Sequence, residues 1–590
     1  MKFVSLGKYV EAVPETSSEI KKMMKFPGFS GSGSRYLAVN KPLVVQNLSR
    51  RLKAAFGKVT IDEGVYQAIN GKLKLRPLPS DFYYHTGPKA AQDISLRFLY
   101  TLESAGLLLE PGMGKTKVYL DYIFLMKYRR CLIVCPRALL GTWMEEALIH
   151  RPEITVYVVQ TTDWKEELPK MKAAQLVVIN YDKAVRLCEG LCTDIQFDSM
   201  NIDEGLIKSP TTSRTKCLTL IGREVKSRVL SSGTLINNSP LDLFAPVRYL
   251  EPTLVGRDYK LFKDMYAVET APGKDAQGKP KKQFVVGYKN VEEMRDTLES
   301  CCIVMKKSEW LELPEKTFHI VDCVASDEQK RVFGELQSNY VAHFKDRNVE
   351  VPSALVLAAK QCQVANGFIY YTESPDLLGE ELGFFGEGQF RGEKRKKAPP
   401  GKREILYFDE QPKILRIMEY LTGQLSSRRL MIWYNLQAER VLMEEALTEA
   451  GINFLTIAGG EKDTFGKVRL FNHNIEYTVL LCQAKAVNYG VTVLGHLDDS
   501  EVDEGQVFLN VDSQVYTQIF MSLNFSLEVF LQQQDRIHRI GQVRACEYFV
   551  FLSDFDVERY VYQVLGEKED VKDSMMVDFV NSRKVEYETE

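Results

Sequence analysis

Between about residues 105 and 250, short apolar runs alternate with amphipathic stretches: AGLLLE, KTKVYLDYIFLMKY, CLIVC, ALLGTWMEEAL, TVYVVQ, LVVIN, SMNID and RVLSS. Apolar runs of strand length separated by segments of helical period predict parallel strands joined by crossover helices. A second series starts near residue 405 with ILRIMEYLTGQL, RLMIWY, AERVLMEEALTEAG, INFLTIAG, YTVLLCQ, VYTQIFMSL, FSLEVFLQQQDRI and CEYFVFL. It predicts a second α/β unit that does not repeat the first in sequence. Residues 251–404 are less regular, though Ser326 to Gln329 spells a capping box that opens a helix reaching about His343. Two polar stretches, 271–283 and 373–404, read as mobile surface loops. The first hundred residues mix a Gly/Ser-rich linker, GFSGSGS at 28–34, with short periodic segments, and predict a small appended domain over a pure tail.

The fold class expected is α/β: two parallel-sheet lobes in tandem, a small N-terminal α+β appendage and helical insertions. The boundaries drawn are 1–85 (accessory), 86–250 (first lobe), 251–404 (inter-lobe insertion) and 405–590 (second lobe with a C-terminal helix). The length of 590 residues suits about three to five folding units of roughly 100 to 200 residues each. With 45% apolar and 11% aromatic residues the chain is too rich in core formers to be disordered. A formal net charge of −3 gives no global signal for a polyanion partner, so one would have to meet local patches. Neither Cys131/Cys135 nor Cys188/Cys192 has a second pair at zinc spacing, so the 11 cysteines read as buried thiols in a reducing compartment. No signal peptide or membrane span is legible, and the expectation is a cytoplasmic protein without membrane contact.

Pro111-Gly112-Met113-Gly114-Lys115-Thr116 lies between a predicted strand and a predicted helix. Glycines there let backbone N–H groups turn inward on a polyphosphate, with the positive end of the helix dipole behind them. Lys115 is then placed to reach the β/γ-phosphates, and the Thr116 hydroxyl to hold Mg²⁺. The full motif is not met, because Leu109 stands at its first glycine. Downstream, Asp203-Glu204 ends a weak strand, 197–202. The pair is either a solvated acidic turn or, beside the phosphate loop, a Mg²⁺ ligand (Asp203) and the group that orients the attacking water (Glu204). In QQQDRIHRIGQ, Arg536 and Arg539 are three apart and are expected on one helical face, either as an exposed basic surface or aimed at a γ-phosphate.

Taken in order, LEPGMGKT (109–116), IVCPRALLGTW (133–143), DEGL (203–206), SSGTLINN (231–238), VNYGVT (487–492) and QQQDRIHRIGQ (532–542) resemble the motifs of superfamily-two helicases with two RecA-like lobes. Within them the set is similar to the Swi/Snf-related group, especially the compact bacteriophage forms. The resemblance spans about residues 90 to 565. It implies ATP and Mg²⁺ as cofactors, an adenine contact from Gln92, a nucleotide contact from Gly490, and arginine fingers at Arg536 and Arg539. It also implies a duplex DNA groove touched near Arg137, Asn180, Thr234 and Thr492, where small and hydroxyl residues suit phosphate contacts that carry no sequence information. Departures are Leu206 for His, Leu235 for Pro, and Val487 and Asn488 for glycines, with an acidic stretch at 496–506 after the last of these. They touch coupling to nucleic acid more than hydrolysis.

The clearest basic run, 391–403 with Lys394, Arg395, Lys396 and Lys397, is either a grip on DNA phosphates or a solvated loop. Tyr83 and Tyr84 ahead of Gln92 either stack on adenine or pack in the core. Arg50, Arg51, Lys53 and Lys58, with the alternating KLKLR at 72–76, make the N-terminal unit either a branched-DNA recognition module or a cap on the first lobe. The function expected is an ATP-dependent translocase or helicase on duplex, forked or junction DNA, serving branch migration in phage replication, recombination or repair. Alternatives are a motor that strips proteins from DNA or serves a restriction or defence system, and a nucleic-acid scaffold that binds ATP without turnover.

Overall fold

The computed structural model describes residues 2–6, 9–13, 30–32, 35–39, 48, 60–61, 75–205, 207, 209–233, 239–256, 258–270, 285–345, 347–351, 354–372, 403–460, 463–484, 486, 493, 495–503, 506–539 and 541–567. It divides between Leu311 and Glu312 into two compact units.

The first unit is built on a seven-stranded sheet. From edge to edge its strands are Cys302–Met305, Ala105–Leu109, Ser227–Ser231, Ser199–Asp203, Cys131–Cys135, Leu176–Asn180 and Val156–Val158. Every neighbouring pair is parallel. The runs AGLLL and CLIVC are buried at every position, as parallel strands covered on both faces must be. Parallel order brings all the carboxyl ends to one side of the sheet, where open α/β sheets place their ligands.

The second unit carries a six-stranded sheet, also parallel throughout: Lys316–Cys323, Cys546–Ser553, Thr517–Phe520, Leu430–Tyr434, Val479–Gln483 and Phe454–Ile457. Two α/β lobes with parallel sheets are thus present, as expected. The division between units falls inside the stretch expected as an insertion, because Cys302–Met305 completes the first sheet and Lys316–Cys323 edges the second.

Near the amino terminus a five-stranded sheet runs Ser30–Ser32, Arg35–Val39, Tyr9–Val13, Lys2–Leu6 and Thr60–Ile61. Part of the expected Gly/Ser linker is therefore strand. It lies at the sheet edge, where a chain poor in side chains is tolerated because only one neighbour must be matched. Ser326 caps a helix at Asp327–Asn339, each member of the Ser326/Gln329 pair bonding the other's backbone N–H. That helix stops short of His343 because Tyr340 turns left-handed (φ 58°) into the hairpin Val341–Phe344/Arg347–Glu350. The acidic stretch after residue 495 lies in an antiparallel hairpin, Gly495–Asp503 with Gln506–Gln514. Both polar loops, 271–283 and 373–404, lie outside the described residues apart from Arg403 and Glu404, as do Arg50, Arg51, Lys53, Lys58 and residues 71–74 of the basic amino-terminal segment.

Candidate nucleotide and nucleic-acid site

The strand Ala105–Leu109 runs into Gly112 (φ 85°) and Gly114 (φ 82°), left-handed positions that only glycine takes without strain, and the helix Lys115–Leu125 follows at once. Gln92, buried on the helix Ala90–Leu102, lies against this loop. Its Nε2 donates to the Met113 carbonyl at 3.2 Å and its Oε1 accepts from Lys89 N at 3.0 Å. Residues twenty-odd positions apart are thereby brought to one place. Thr116, half-buried, opens the same helix. Lys115 donates from Nζ to the Leu109 carbonyl at 3.0 Å and stands 4.0 Å from Glu204 Oε1.

Asp203 ends the strand Ser199–Asp203, and Glu204 (φ 57°) and Gly205 (φ 48°) turn the chain back sharply. Holding a glutamate left-handed costs about 1–2 kcal/mol, which the surrounding structure must offset. Asp203 is buried; its Oδ2 accepts from the indole N–H of Trp143 at 2.9 Å and its Oδ1 from Glu204 N at 3.0 Å. Burial, reinforced by the neighbouring Glu204 carboxylate, pushes its carboxyl up to about 7, against the opposing pull of Lys115 and the Trp143 N–H. Two close carboxylates facing one ammonium make a site that a divalent cation would relieve, so Asp203 and Thr116 fit Mg²⁺ by charge and donor type.

Of the expected nucleic-acid contacts, Arg137 and Asn180 are described, at the carboxyl ends of adjacent strands of the first sheet. Arg137, exposed, opens the turn Arg137–Leu139 after Cys131–Cys135. Asn180 ends the neighbouring strand in register with Cys135 and caps the helix Tyr181–Arg186, its Oδ1 accepting from Lys183 N at 2.9 Å. That capping bond occupies the amide oxygen and leaves the NH₂ group as Asn180's donor. Ser232 N donates to the Leu107 carbonyl, and a Cβ on Gly233 would press on Pro111. Thr234, Gly490, Thr492 and Lys394–Lys397 lie outside the described residues.

In the second unit the helix Leu527–Gln534 ends before both arginines, so Arg536 and Arg539 sit in the turns that follow and not on a helical face. Around these turns the Gln533 carbonyl accepts from Gln518 Nε2 at 2.9 Å as well as from Arg536 N at 3.1 Å, and the Gln534 carbonyl from the Tyr548 hydroxyl at 3.2 Å as well as from His538 N at 3.2 Å, so sheet side chains share the last carbonyls. Arg536 is buried and donates from Nε to the Gln532 carbonyl at 2.9 Å, while Arg539 is half-buried.

Three features escape sequence reading. The Trp143–Asp203 bond joins residues 60 apart, and its only signal is that a buried indole N–H needs an acceptor. Tyr181 also reaches Asp203, its hydroxyl donating to the main-chain oxygen at 2.6 Å. A buried Arg151 pairs with Asp121 at 2.7 Å, Asp121 holds Lys117 at 2.8 Å, and the guanidinium lies 4.1 Å from the Phe124 ring centre. This network ties the helix after the phosphate loop to the segment at Tyr83, whose carbonyl accepts from Arg151 at 2.8 Å. Tyr84 donates to Asp93 at 2.6 Å, and Tyr83 is over half exposed with its ring edge-on to Phe124.

Residues 91–365 match the model of the SNF2-related domain. The TATA-binding protein-associated factor mot1 of Schizosaccharomyces pombe is 23% identical over 495 residues, covering 76% of this chain and 24% of the relative. Human DNA excision repair protein ERCC-6 is 23% identical over 302 residues, 46% of this chain and 20% of that protein. The chain thus spans about a quarter or less of the length of these relatives. A solved structure, the Sulfolobus solfataricus SWI2/SNF2 ATPase core in complex with dsDNA, aligns over 86% of this chain and 96% of its own at 18% identity, with a TM-score of 0.36. None of the eleven cysteines forms a disulfide. Among the described residues no helix is long and apolar enough to cross a membrane.

Proposed function

We propose that this chain is a DNA-dependent ATPase of the SNF2-related kind that uses ATP and Mg²⁺ to move along duplex DNA. The observation that carries the reading is the meeting of the phosphate loop with the carboxylate pair, where Lys115 Nζ lies 4.0 Å from Glu204 Oε1. In this reading the Gly112–Thr116 loop wraps the polyphosphate, Lys115 leaves the Leu109 carbonyl for the β/γ-phosphates, and Gln92 holds the adenine end. Thr116 and Asp203 hold Mg²⁺, which supplies charge neutralisation on the phosphates when bound. Glu204 orients the attacking water, and charge on the transferring phosphoryl group falls to Arg536 and Arg539.

The DNA half of the reading is supported by the SNF2-related match over 91–365 and by Arg137 and Asn180 at the ends of adjacent strands. Thr234, Thr492, Lys394–Lys397 and Gly490 keep their assigned roles as part of this proposal. Remodelling of forks or junctions is its specific form, supported by the basic segments in the first 85 residues. The test compares ATP turnover on single-stranded DNA, linear duplex, fork, four-way junction and RNA. Duplex stimulation above that of RNA is expected, with forks and junctions above linear duplex. Equal stimulation by RNA removes the duplex assignment, and equality of linear and branched substrates removes the branch assignment alone.

A further inference from the structure

We propose that Trp143 is a positioning residue for Asp203, its indole N–H fixing the carboxylate so that the remaining lone pairs face a divalent cation. The inference rests on the reading of Asp203 as a metal-binding carboxylate.

Trp143 lies on the helix Leu140–His150 and is 1% exposed, so its single polar atom must find a partner inside the protein. That partner is Asp203 Oδ2 at 2.9 Å. The other carboxylate oxygen accepts from Glu204 N at 3.0 Å. An ionised carboxylate offers about four acceptor directions, so one bond on each oxygen fixes its plane and leaves one direction on each for a cation.

The indole does not depend on this bond for its own orientation. It packs edge-on against the Tyr119 ring, centroids 6.1 Å apart, and the Tyr119 hydroxyl bonds Ser199 Oγ at 2.8 Å, on the strand that ends in Asp203. The ring is therefore a fixed donor against which the carboxylate is set. Tyr181 holds the Asp203 main chain from a second helix. Trp143 follows the turn at Arg137, and Tyr181 follows Asn180, so two of the segments expected to touch nucleic acid each send one side chain to Asp203, the first to its carboxylate and the second to its main-chain oxygen.

The test is binding of a fluorescent ADP analogue to the full chain, titrated with Mg²⁺, for wild type, Trp143→Phe and Tyr119→Phe. Trp143→Phe keeps an aromatic ring and removes the donor; Tyr119→Phe keeps its ring and the indole donor and removes only the hydroxyl that bonds Ser199, on the strand that ends in Asp203. Loss of a second-layer partner typically lowers metal affinity about 10- to 100-fold. We expect Trp143→Phe to weaken Mg²⁺ about tenfold while Mg²⁺-free nucleotide binding stays within about twofold, and Tyr119→Phe to titrate as wild type. An unchanged Mg²⁺ titration in Trp143→Phe, or an equal shift in Tyr119→Phe, overturns the proposal. If nucleotide binding by wild type ignores Mg²⁺, the metal assignment of Asp203 fails instead. Should Trp143→Phe not fold, 5-fluorotryptophan placed at all four tryptophans decides the matter. A fluorine signal that moves when Mg²⁺ joins bound ADP is expected, and four unmoved signals contradict the proposal.

Discussion

Gln92 and Gly114 share one small volume: the amide nitrogen of Gln92 occupies the space that a Cβ on residue 114 would need. Gly114 is also left-handed at φ 82°, so a side chain there meets a steric and a conformational cost together. Gly114→Ala is expected to lower stability by about 1–3 kcal/mol and to abolish tight nucleotide binding. In the double variant with Gln92→Ala, thermal unfolding should recover in part while nucleotide affinity does not. Full recovery of affinity would show that Gln92 and the loop geometry play no part in binding.

Lys115→Ala and Glu204→Gln should differ in kind, because one loses a phosphate contact and the other a group that orients water. The first is expected to weaken nucleotide binding, the second to bind ATP and turn it over slowly. Filter binding and single-turnover hydrolysis on both variants separate the roles. Normal turnover in Glu204→Gln removes Glu204 from the mechanism.

Asp203 makes the metal-free protein sensitive to pH. Its carboxyl is raised from the usual carboxylate value to about 7, so between about pH 4 and 7 the folded chain holds a proton that the unfolded chain has released. Stability contributed by this group is therefore present at the acidic end and lost as pH rises through about 7. Asp203→Asn should gain thermal stability relative to wild type as pH is raised from 5 to about 8 without Mg²⁺. A stability difference that stays flat across this range contradicts the assignment.

Arg539→Ala should leave ATP affinity nearly intact while turnover falls by about three powers of ten or more, since charge stabilisation of this sort acts in the transition state. The deficit should persist at saturating DNA. Rescue by more DNA would make Arg539 a phosphate contact.

Both sheets were legible wherever a strand is an uninterrupted apolar run buried on both faces, as in CLIVC, LVVIN and LMIWY. Lys316–Cys323 escaped because it is an edge strand, exposed at four of its first five positions, with little apolar pattern to read. Lys115, Asp203 and Glu204 were legible because their spacing follows from a strand, a turn and a helix that are local in sequence. The turns carrying Arg536 and Arg539 were not, since Gln518 and Tyr548, which share the last helical carbonyls, come from other strands. Likewise nothing local to Trp143 points to residue 203.

The central claim is DNA-dependent hydrolysis at Lys115, and steady-state ATP turnover with and without linear duplex DNA, across a salt series, tests it most directly. Wild type should be stimulated by duplex, the stimulation should fall steeply with salt as phosphate contacts are screened, and Lys115→Ala should stay at background throughout. Wild-type turnover that duplex leaves unchanged at every salt concentration, or that Lys115→Ala retains, would contradict it.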